Sequence, residues 1–230
     1  MKRIVQPELL DALPPDDSRA LRSRRDLCRV NTWMGNHKIL ARALRETVNG
    51  TSPRTILELG AGDGQFLLRV ANALAPSWPG VSVTFLDRQE TVSDSTLTAF
   101  STLGWRAEAT VADALDWAAT TTSPVEIVVA NLFLHHFPEA QLARLFEAVS
   151  SRTRLFVAVE PRRGAWPLFC ARWLWAIGCN AVTCYDAEIS VRAGFAGREL
   201  SALWPAGAEW ELCEKEAGLF SHAFVAHRRI

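Results

Sequence analysis

The chain has 230 residues, enough for one well-buried α/β domain and short for two. Lysine and arginine together number 25, as do aspartate and glutamate, so no global basic field exists for a polyanion. This balance argues against a nucleic-acid partner. The five cysteines are scattered without a C-x-x-C pair, and the five histidines include no H-E-x-x-H pair. We therefore expect a cytoplasmic protein with no disulfide framework and no metal site.

Two segments bear on membrane targeting. Residues 1–17 lack the apolar core of a signal peptide. Residues 165–182 are the nearest approach to a membrane span, but Pro167 and Arg172 interrupt them and the run falls short of about 20 apolar residues. We expect a buried helix or a substrate lid in this segment, and no stable membrane insertion.

The first 50 residues are predicted to form a helical extension that covers the site. Pro14-Pro15 breaks this extension, residues 16–18 offer a helix start, and a second helix is predicted over residues 30–48. Gly35 falls inside that second helix, where a glycine costs about 1 kcal/mol relative to alanine. We expect it to permit close approach to a ligand, with another helix as the alternative.

From residue 55 onward, short β-rich runs alternate with helical runs. Such alternation favours an α/β fold with a mostly parallel sheet and helices on both faces. The predicted order is strand 55–59, helix 65–75, strand 81–86, helix 91–103, strand 106–112, short helix 114–119, strand 125–130, helix 138–150 and strand 154–159. Helices and loops follow over 165–205, with breaks at Gly178, Gly194 and Gly197, and a hairpin of strands 210–213 and 219–225 joined through 214–218 ends the chain.

The turn after the first strand carries three glycines at alternate positions, Gly60, Gly62 and Gly64. Glycine lets the backbone bend sharply and approach a ligand, and the following helix directs its free N–H groups at the same point. Open α/β sheets bind nucleotide-like ligands at this edge. A dinucleotide fingerprint would need glycine where Gln65 stands, which disfavours a nicotinamide-dependent oxidoreductase.

Polar residues end the later strands in order. Asp87 ends the second, Asp113 follows the third, Asn131 ends the fourth and Glu160 ends the fifth. Together with the E-x-G-x-G-x-G run at 58–64, this order resembles class I S-adenosylmethionine-dependent methyltransferases over roughly residues 55–160. The resemblance implies a Rossmann-like, mostly parallel seven-stranded sheet with a terminal antiparallel hairpin. It also implies a methyltransferase whose cofactor is S-adenosyl-L-methionine.

The resemblance assigns parts of the cofactor to individual residues. Asp87 would accept hydrogen bonds from both ribose hydroxyls, and Arg88 would lie beside the adenine or in solvent. Asp113 would face the adenine amino group with the backbone N–H of Ala114 near a ring nitrogen, unless Asp113 is only a helix cap. Asn131 would line the pocket near the methionine or form a turn. The methionine end would contact the glycine turn, formed by Glu58, Gly60, Ala61, Gly62 and Gly64.

His135 and His136 lie nearest the expected reaction centre. An imidazole with a pKa near neutrality is a suitable base for a hydroxyl proton. Many members of the family nevertheless carry a similar Leu-His-His run without such a role. Because methyl transfer from a sulfonium depends mainly on positioning, we expect this pair to pack or to orient the substrate.

We expect a small-molecule methyltransferase domain over residues 51–230, with lids from residues 1–50 and from an insertion at about 165–205. Trp166, Phe169 and Trp173 are expected in the core, with a substrate lid as the alternative. Residues 190–204 are similar to a segment of stand-alone bacterial methyltransferases that accompany polyketide-forming enzymes. The resemblance favours O- or C-methylation of a phenolic or polyketide-like acceptor.

Two alternatives of other classes remain. A methyltransferase of nucleic acid or protein is disfavoured, because Asn131-Leu132-Phe133-Leu134 replaces the Asn/Asp-Pro-Pro-aromatic run of the family's amino-group enzymes. A non-catalytic cofactor-binding protein with the same fold stays open, since no indispensable catalytic residue can be identified. The oligomeric state is likewise open.

Overall fold

A computed structural model describes residues 1–14, 16–48, 50 and 52–229 of the chain. Pro15, one half of the predicted break, lies outside the described residues. One seven-stranded sheet with the strand order β3-β2-β1-β4-β5-β7-β6 organises the fold. The strands are β1 Thr55–Leu59, β2 Ser82–Asp87, β3 Arg106–Val111, β4 Ile127–Asn131, β5 Leu155–Pro161, β6 Trp210–Ala217 and β7 Ser221–Arg228.

Strands β1 to β5 are parallel, whereas β7 runs antiparallel to both β5 and β6. The predicted Rossmann-like sheet with a terminal antiparallel hairpin is therefore confirmed. Central strands of such a sheet are buried on both faces, and every residue of β5 is buried. Successive side chains point to opposite faces, so that Ile56 and Leu57 pack into different hydrophobic clusters.

The helices cover both faces of the sheet. One cluster joins α3 and α4 to the sheet through Leu44 and Val70, and the other joins α7 and α10 through Phe146 and Leu200. The helices are α1 Leu9–Ala12, α2 Ser18–Met34, α3 Asn36–Thr47, α4 Gln65–Leu74, α5 Asp94–Thr102, α6 Ala114–Thr120, α7 Glu139–Ser150, α8 Ala165–Arg172, α9 Ala181–Ala193 and α10 Glu199–Leu203, with 3₁₀ turns at Leu134–His136 and Leu174–Ile177.

The predicted helix over residues 30–48 is wrong, because the chain breaks there into α2 and α3. Gly35 separates the two helices with φ of 70°, a left-handed conformation that residues with a Cβ rarely adopt. No described atom lies within 4 Å of a Cβ built at Gly35. Its left-handed backbone therefore accounts for the glycine, and the alternative of close packing against another helix is not observed among the described residues. The approach to a ligand stays a prediction.

The final hairpin is longer than expected. Residues 214–217, predicted as part of the connection, lie in β6, and the turn begins at Gly218. The polar run resembled a turn because β6 is an edge strand whose outward side chains are charged, a usual device against edge-to-edge pairing. Glu214 is the exception, since its carboxylate lies 2.8 Å from Nε2 of buried His222.

The aromatic residues of α8 do not belong to the core. Trp166, Phe169 and Trp173 are about half exposed, at 52%, 52% and 50%. The rings of Trp166 and Phe169 stack with centroids 5.8 Å apart, and those of Phe169 and Trp173 are tilted with centroids 5.9 Å apart. The expectation of a core position is wrong for these residues, since spacing alone does not show what a helix face meets. Among the described residues no helix is both long and apolar enough to cross a membrane.

Candidate active site

The glycine turn lies at the carboxyl end of β1, as predicted. Gly60, Gly62 and Gly64 have φ values of 66°, 54° and 72°, so the turn depends on glycine at alternate positions. The N–H groups of Gly60 and Ala61 donate to the carbonyl of Leu86 at 2.9 Å and 3.2 Å. These bonds tie the turn to the end of β2.

Asp87, at the end of β2, lies directly against this turn. Its Oδ2 accepts a hydrogen bond from Gly62 N at 2.9 Å, and its Oδ1 accepts one from Gln89 N at 3.0 Å. Thr91 Oγ1 donates to the carbonyl of Gly62 at 2.6 Å. The carboxylate predicted to bind ribose and the glycines predicted to bind methionine therefore form one rigid unit.

Asp113 caps helix α6. Its Oδ1 accepts from Leu115 N at 2.8 Å, so the helix-cap alternative is observed. The residue nevertheless lines the same cavity as Asp87, together with Ala114 and the exposed Arg88. Capping fixes the carboxyl group at the end of β3, where its other oxygen can meet a ligand.

Glu58 is buried beneath the glycine turn, with a relative exposure of 2%. Its Oε2 has no hydrogen-bond partner among the described residues. Burial, followed by the charges of Asp63 and Asp87, raises the pKa of this carboxyl well above its usual value. A buried acceptor without a donor is costly, and a cationic donor would satisfy it.

Asn131 is held away from the cavity. Its Oδ1 accepts a hydrogen bond from Asn36 Nδ2 at 2.9 Å, and Asn36 in turn accepts from Ser221 Oγ. The side chain therefore connects β4 to α3 and β7. Asn131 does not line the cavity that contains Asp87.

The turn after β4 (residues 132–136, the β4 turn) is organised by Glu160 of β5. The fully buried Glu160 carboxylate accepts from the N–H groups of Phe133 and Leu134 at 3.0 Å each. It also accepts from His135 N at 3.3 Å and lies 2.9 Å from His135 Nδ1. Leu132, a non-glycine residue, has φ of 50°, a strained conformation that persists where the surroundings impose it.

The structure separates the two predicted histidines. His135 is buried, with Nδ1 on Glu160 and Nε2 3.5 Å from Glu8 Oε1. Burial opposes a charge on the ring, but hydrogen bonds with Glu160 and Glu8 outweigh it and raise the pKa of His135 to about 9. A ring that already carries both protons at neutral pH is unsuited to act as a base. His136 lines the cavity instead, with its ring centroid 4.2 Å from that of His135.

Glu8 belongs to residues 1–8 (the N-terminal segment), which helix α9 holds against the β4 turn. Leu9 N and Leu10 N donate to the carboxylate of Asp186 at 2.7 Å and 3.0 Å. Arg3 donates to the carbonyls of Ala193 and Phe137 at 2.7 Å and 2.9 Å. Helix α9 thus fixes the N-terminal segment in place, and the role of residues 1–50 as a cover stays a prediction.

One cavity of about 710 Å³ joins these parts. On one side lie residues from the glycine turn and from the ends of β2 and β3: Gly60, Gly62, Asp63, Asp87, Arg88, Thr91, Asp113 and Ala114. On the other side lie residues from the N-terminal segment, α1, α2 and the β4 turn with its continuation: Val5, Gln6, Pro7, Leu10, Leu27, Cys28, Asn31, Phe133, His136, Phe137 and Gln141.

Five of the predicted site residues are not part of the cavity lining. Glu58, Ala61, Gly64, Asn131 and His135 do not line it, and no described residue of the 165–205 insertion does. Sequence reasoning missed Glu8, Phe133 and Glu160. Glu160 carried a signal, an acid ending a strand beside a polar turn, whereas the contact between Glu8 and His135 joins residues far apart in the chain.

Comparison with known proteins gives one match to a family model, over less than half of the chain. Residues 56–154 match a family model described as a methyltransferase domain. This match lies within the stretch that resembles class I S-adenosylmethionine-dependent methyltransferases, and it supports that resemblance there. No curated protein sequence matches the chain significantly.

Solved structures agree on the fold. An O-methyltransferase family protein from Burkholderia thailandensis matches 93% of this chain at 15% identity, with a TM-score of 0.61. The plantazolicin methyltransferase BamL, solved with a desmethylPZN analog and SAH, matches 95% of this chain and 92% of its own at 12% identity and a TM-score of 0.62.

Magnesium protoporphyrin IX methyltransferase from Synechocystis PCC 6803, solved with SAH, matches 85% of this chain and 83% of its own at 13% identity and a TM-score of 0.54. The chain spans only 61% of the Burkholderia protein. The predicted cofactor, S-adenosylmethionine, agrees with the family and with the two SAH complexes.

Proposed function

We propose that the chain transfers a methyl group from S-adenosylmethionine to a small molecule, at an oxygen or carbon of a phenolic or polyketide-like acceptor. The observation that carries this proposal is the single cavity described above. The glycine turn and two strand-end carboxylates line one side of it, and a largely apolar cover lines the other.

The residues present fit the cofactor. Bound there, it supplies a methyl group on a positively charged sulfonium sulfur. Glu58 lies beneath the glycine turn and outside the cavity lining, and its unpartnered Oε2 would attract the ammonium group of the methionine end from beneath that turn. Asp87, held by Gly62 N, would accept from the ribose hydroxyls, and Asp113 from the adenine amino group. Arg88 would flank the adenine from its exposed position.

The acceptor side suits a flat, mainly apolar molecule. Val5, Pro7, Leu10, Leu27 and Phe137 contribute apolar side chains, and Gln6, Arg24, Asn31 and Gln141 contribute polar ones. Small-molecule sites typically have such a composition. The N-terminal segment and α2 cover this side, which supports a small acceptor over a macromolecule and would keep water from the reacting atoms.

His136 is the histidine placed to meet the acceptor. We propose that it orients the acceptor hydroxyl while buried His135 and Glu160 fix the β4 turn beneath it. If His136 were instead the base, His136→Ala would lower kcat by about 10²–10⁴-fold, with the loss shrinking at high pH where a phenol ionises unaided. We expect a small loss of kcat with a raised KM.

A mass-spectrometric screen tests the proposed function. The chain is incubated with S-adenosylmethionine and candidate phenols, and both the methylated product and SAH are measured. We expect stoichiometric formation of the two products with at least one phenolic acceptor, and their loss in Asp87→Ala. SAH formation only with protein or nucleic-acid substrates would contradict a small-molecule role, and binding without any turnover would favour the non-catalytic alternative.

A further inference from the structure

Three side chains meet between the N-terminal segment and the β4 turn. Ligand atoms of Glu8, His135 and His136 all lie within 4.8 Å of one another. Two imidazole nitrogens and one carboxylate oxygen form a donor set that suits zinc and neighbouring divalent transition metals. His135 is buried and Glu8 and His136 are half-buried, so these groups are not part of a solvated acidic surface.

The spacing of Glu8 and His135 fits a shared ion. Glu8 Oε1 lies 3.5 Å from His135 Nε2, whereas His135 Nδ1 lies 2.9 Å from Glu160 Oε2. A charge-assisted hydrogen bond is normally about 2.7–2.9 Å long. Two ligands that each lie about 2.0–2.1 Å from a tetrahedral ion are about 3.3–3.4 Å apart. The contact with Glu160 therefore has the usual length of a charge-assisted hydrogen bond, whereas the contact with Glu8 is a long hydrogen bond whose spacing also fits two ligands of one ion.

The surroundings of the three side chains also resemble those of metal ligands. Metal-binding histidines commonly donate their other ring N–H to a carboxylate, which fixes the tautomer and the ring orientation. Glu160 occupies that position at His135 Nδ1 and leaves Nε2 pointing toward Glu8. Ser190 Oγ donates to Glu8 Oε1 and holds the carboxylate from the side of α9.

We propose that Glu8 Oε1, His135 Nε2 and a ring nitrogen of His136 bind one divalent transition-metal ion of the zinc class. The ion would take the place of the proton between His135 and Glu8, and would fasten the N-terminal segment to the β4 turn. Three protein ligands leave a position for a further ligand, as in catalytic zinc sites. Because His136 lines the cavity, an ion held by it would lie near the acceptor.

Binding of an ion here would contradict the expectation from sequence that the chain has no metal site. That expectation rested on the absence of closely spaced ligand motifs, and Glu8 is far from the histidines in the chain. The inference goes beyond the proposed methyl transfer. It can be tested without cofactor or acceptor, so its failure would leave the proposed function untouched.

The experiment measures metal binding to the whole chain after chelator treatment. Zn²⁺ is titrated calorimetrically, Co²⁺ is followed by its visible absorption, and the retained zinc is counted by mass spectrometry. We expect one ion per chain and a Co²⁺ spectrum with nitrogen and oxygen ligands. Affinity should fall at least about 100-fold in both Glu8→Gln and His136→Gln, a loss no smaller than that for removing a supporting group.

His227→Gln is the matched control, because this histidine lies on β7 outside the cluster. It should bind the ion as the wild type does. Thermal melting shows whether each variant is folded, and the two ligand variants lie on separate segments, so one misfolded protein does not remove the test. Unchanged affinity in folded Glu8→Gln or His136→Gln would overturn the site. So would a cobalt–thiolate absorption band, or a dissociation constant in the wild type above about 100 µM.

Discussion

Two buried glutamates at the same edge of the sheet have opposite surroundings. Glu160, on β5, accepts hydrogen bonds from the N–H groups of Phe133, Leu134 and His135 and contacts the His135 ring. Glu58, on β1, has an oxygen without a partner among the described residues and a pKa well above its usual value. A carboxylate whose oxygens already accept hydrogen bonds supports a turn, whereas one with an unpartnered oxygen can still accept a hydrogen bond from a ligand. The carboxyl end of β5 is therefore structural, and the carboxyl end of β1 is suited to bind a ligand.

Removing the Glu160 carboxylate should have the largest effect on stability. Glu160→Ala leaves three backbone N–H groups and the charged ring of His135 without their acceptor. Breaking a buried, paired charge in this way costs about 3–5 kcal/mol. Denaturant unfolding should show a decrease of that size in the free energy of unfolding, while Glu90→Ala, at an exposed position, should change it by less than about 0.5 kcal/mol. An equally small effect for both variants would show that Glu160 does not support the turn.

The next largest effect should be on the affinity for the cofactor at the glycine turn and the end of β2. Asp87→Ala removes the acceptor proposed for two ribose hydroxyls and the anchor of Gly62 N. Hydrogen bonds to a charged group contribute about 1.5–3 kcal/mol, so the dissociation constant for SAH should rise at least about tenfold. Calorimetry measures this change, with exposed Asp94→Ala as the control for loss of a nearby acid. If the constant is unchanged, the ribose does not lie against Asp87.

Glu58 should make the stability of the protein depend on pH. Because the native pKa of Glu58 exceeds its unfolded value, the native state holds an extra proton, and stability is lost as pH rises from about 4.5 through the native pKa. Glu58→Gln removes that loss. Without cofactor, the variant should become more stable than the wild type. The difference should grow by up to about 1.4 kcal/mol for each pH unit between the unfolded and the native pKa of Glu58.

Unfolding midpoints across pH test this sign, and the same series on Glu90→Gln controls for surface charge. The variant should also bind SAH more weakly, since an amide pairs less well with an ammonium group. A stability advantage that grows toward low pH would contradict the raised pKa of Glu58.

The smallest effect should come from Gly35, which lies between two helices and away from both glutamates. Gly35→Ala places a Cβ on a residue with φ of 70°, where a left-handed backbone costs about 1 kcal/mol. Gly35 does not line the cavity, so SAH affinity should not change. Thermal melting together with calorimetry checks both statements. A changed affinity would restore the idea that Gly35 approaches the ligand.

The contrast between the surroundings of Glu58 and Glu160 also explains which parts of the site can be predicted from the sequence. The glycine turn and the acids at 87 and 113 are local features, since strand, turn and helix follow each other within a few residues. Their meeting in one cavity follows from the fact that parallel strands end at the same edge.

The other half of the cavity depends on contacts that local patterns do not encode. Glu8 approaches His135, Asp186 holds the start of α1, and Glu160 saturates the β4 turn. Each contact joins residues brought together only by tertiary packing. For the same reason, the spacing of Trp166 and Phe169 could not show that their helix face meets solvent.

Calorimetric titration of the unmodified chain tests the central claim most directly. S-adenosylmethionine, SAH and NAD are each titrated into the protein at the same pH and ionic strength. The cavity described here predicts one molecule of S-adenosylmethionine or SAH bound per chain, and no comparable binding of NAD. Tighter binding of NAD, or no binding of either adenosyl compound, would contradict it.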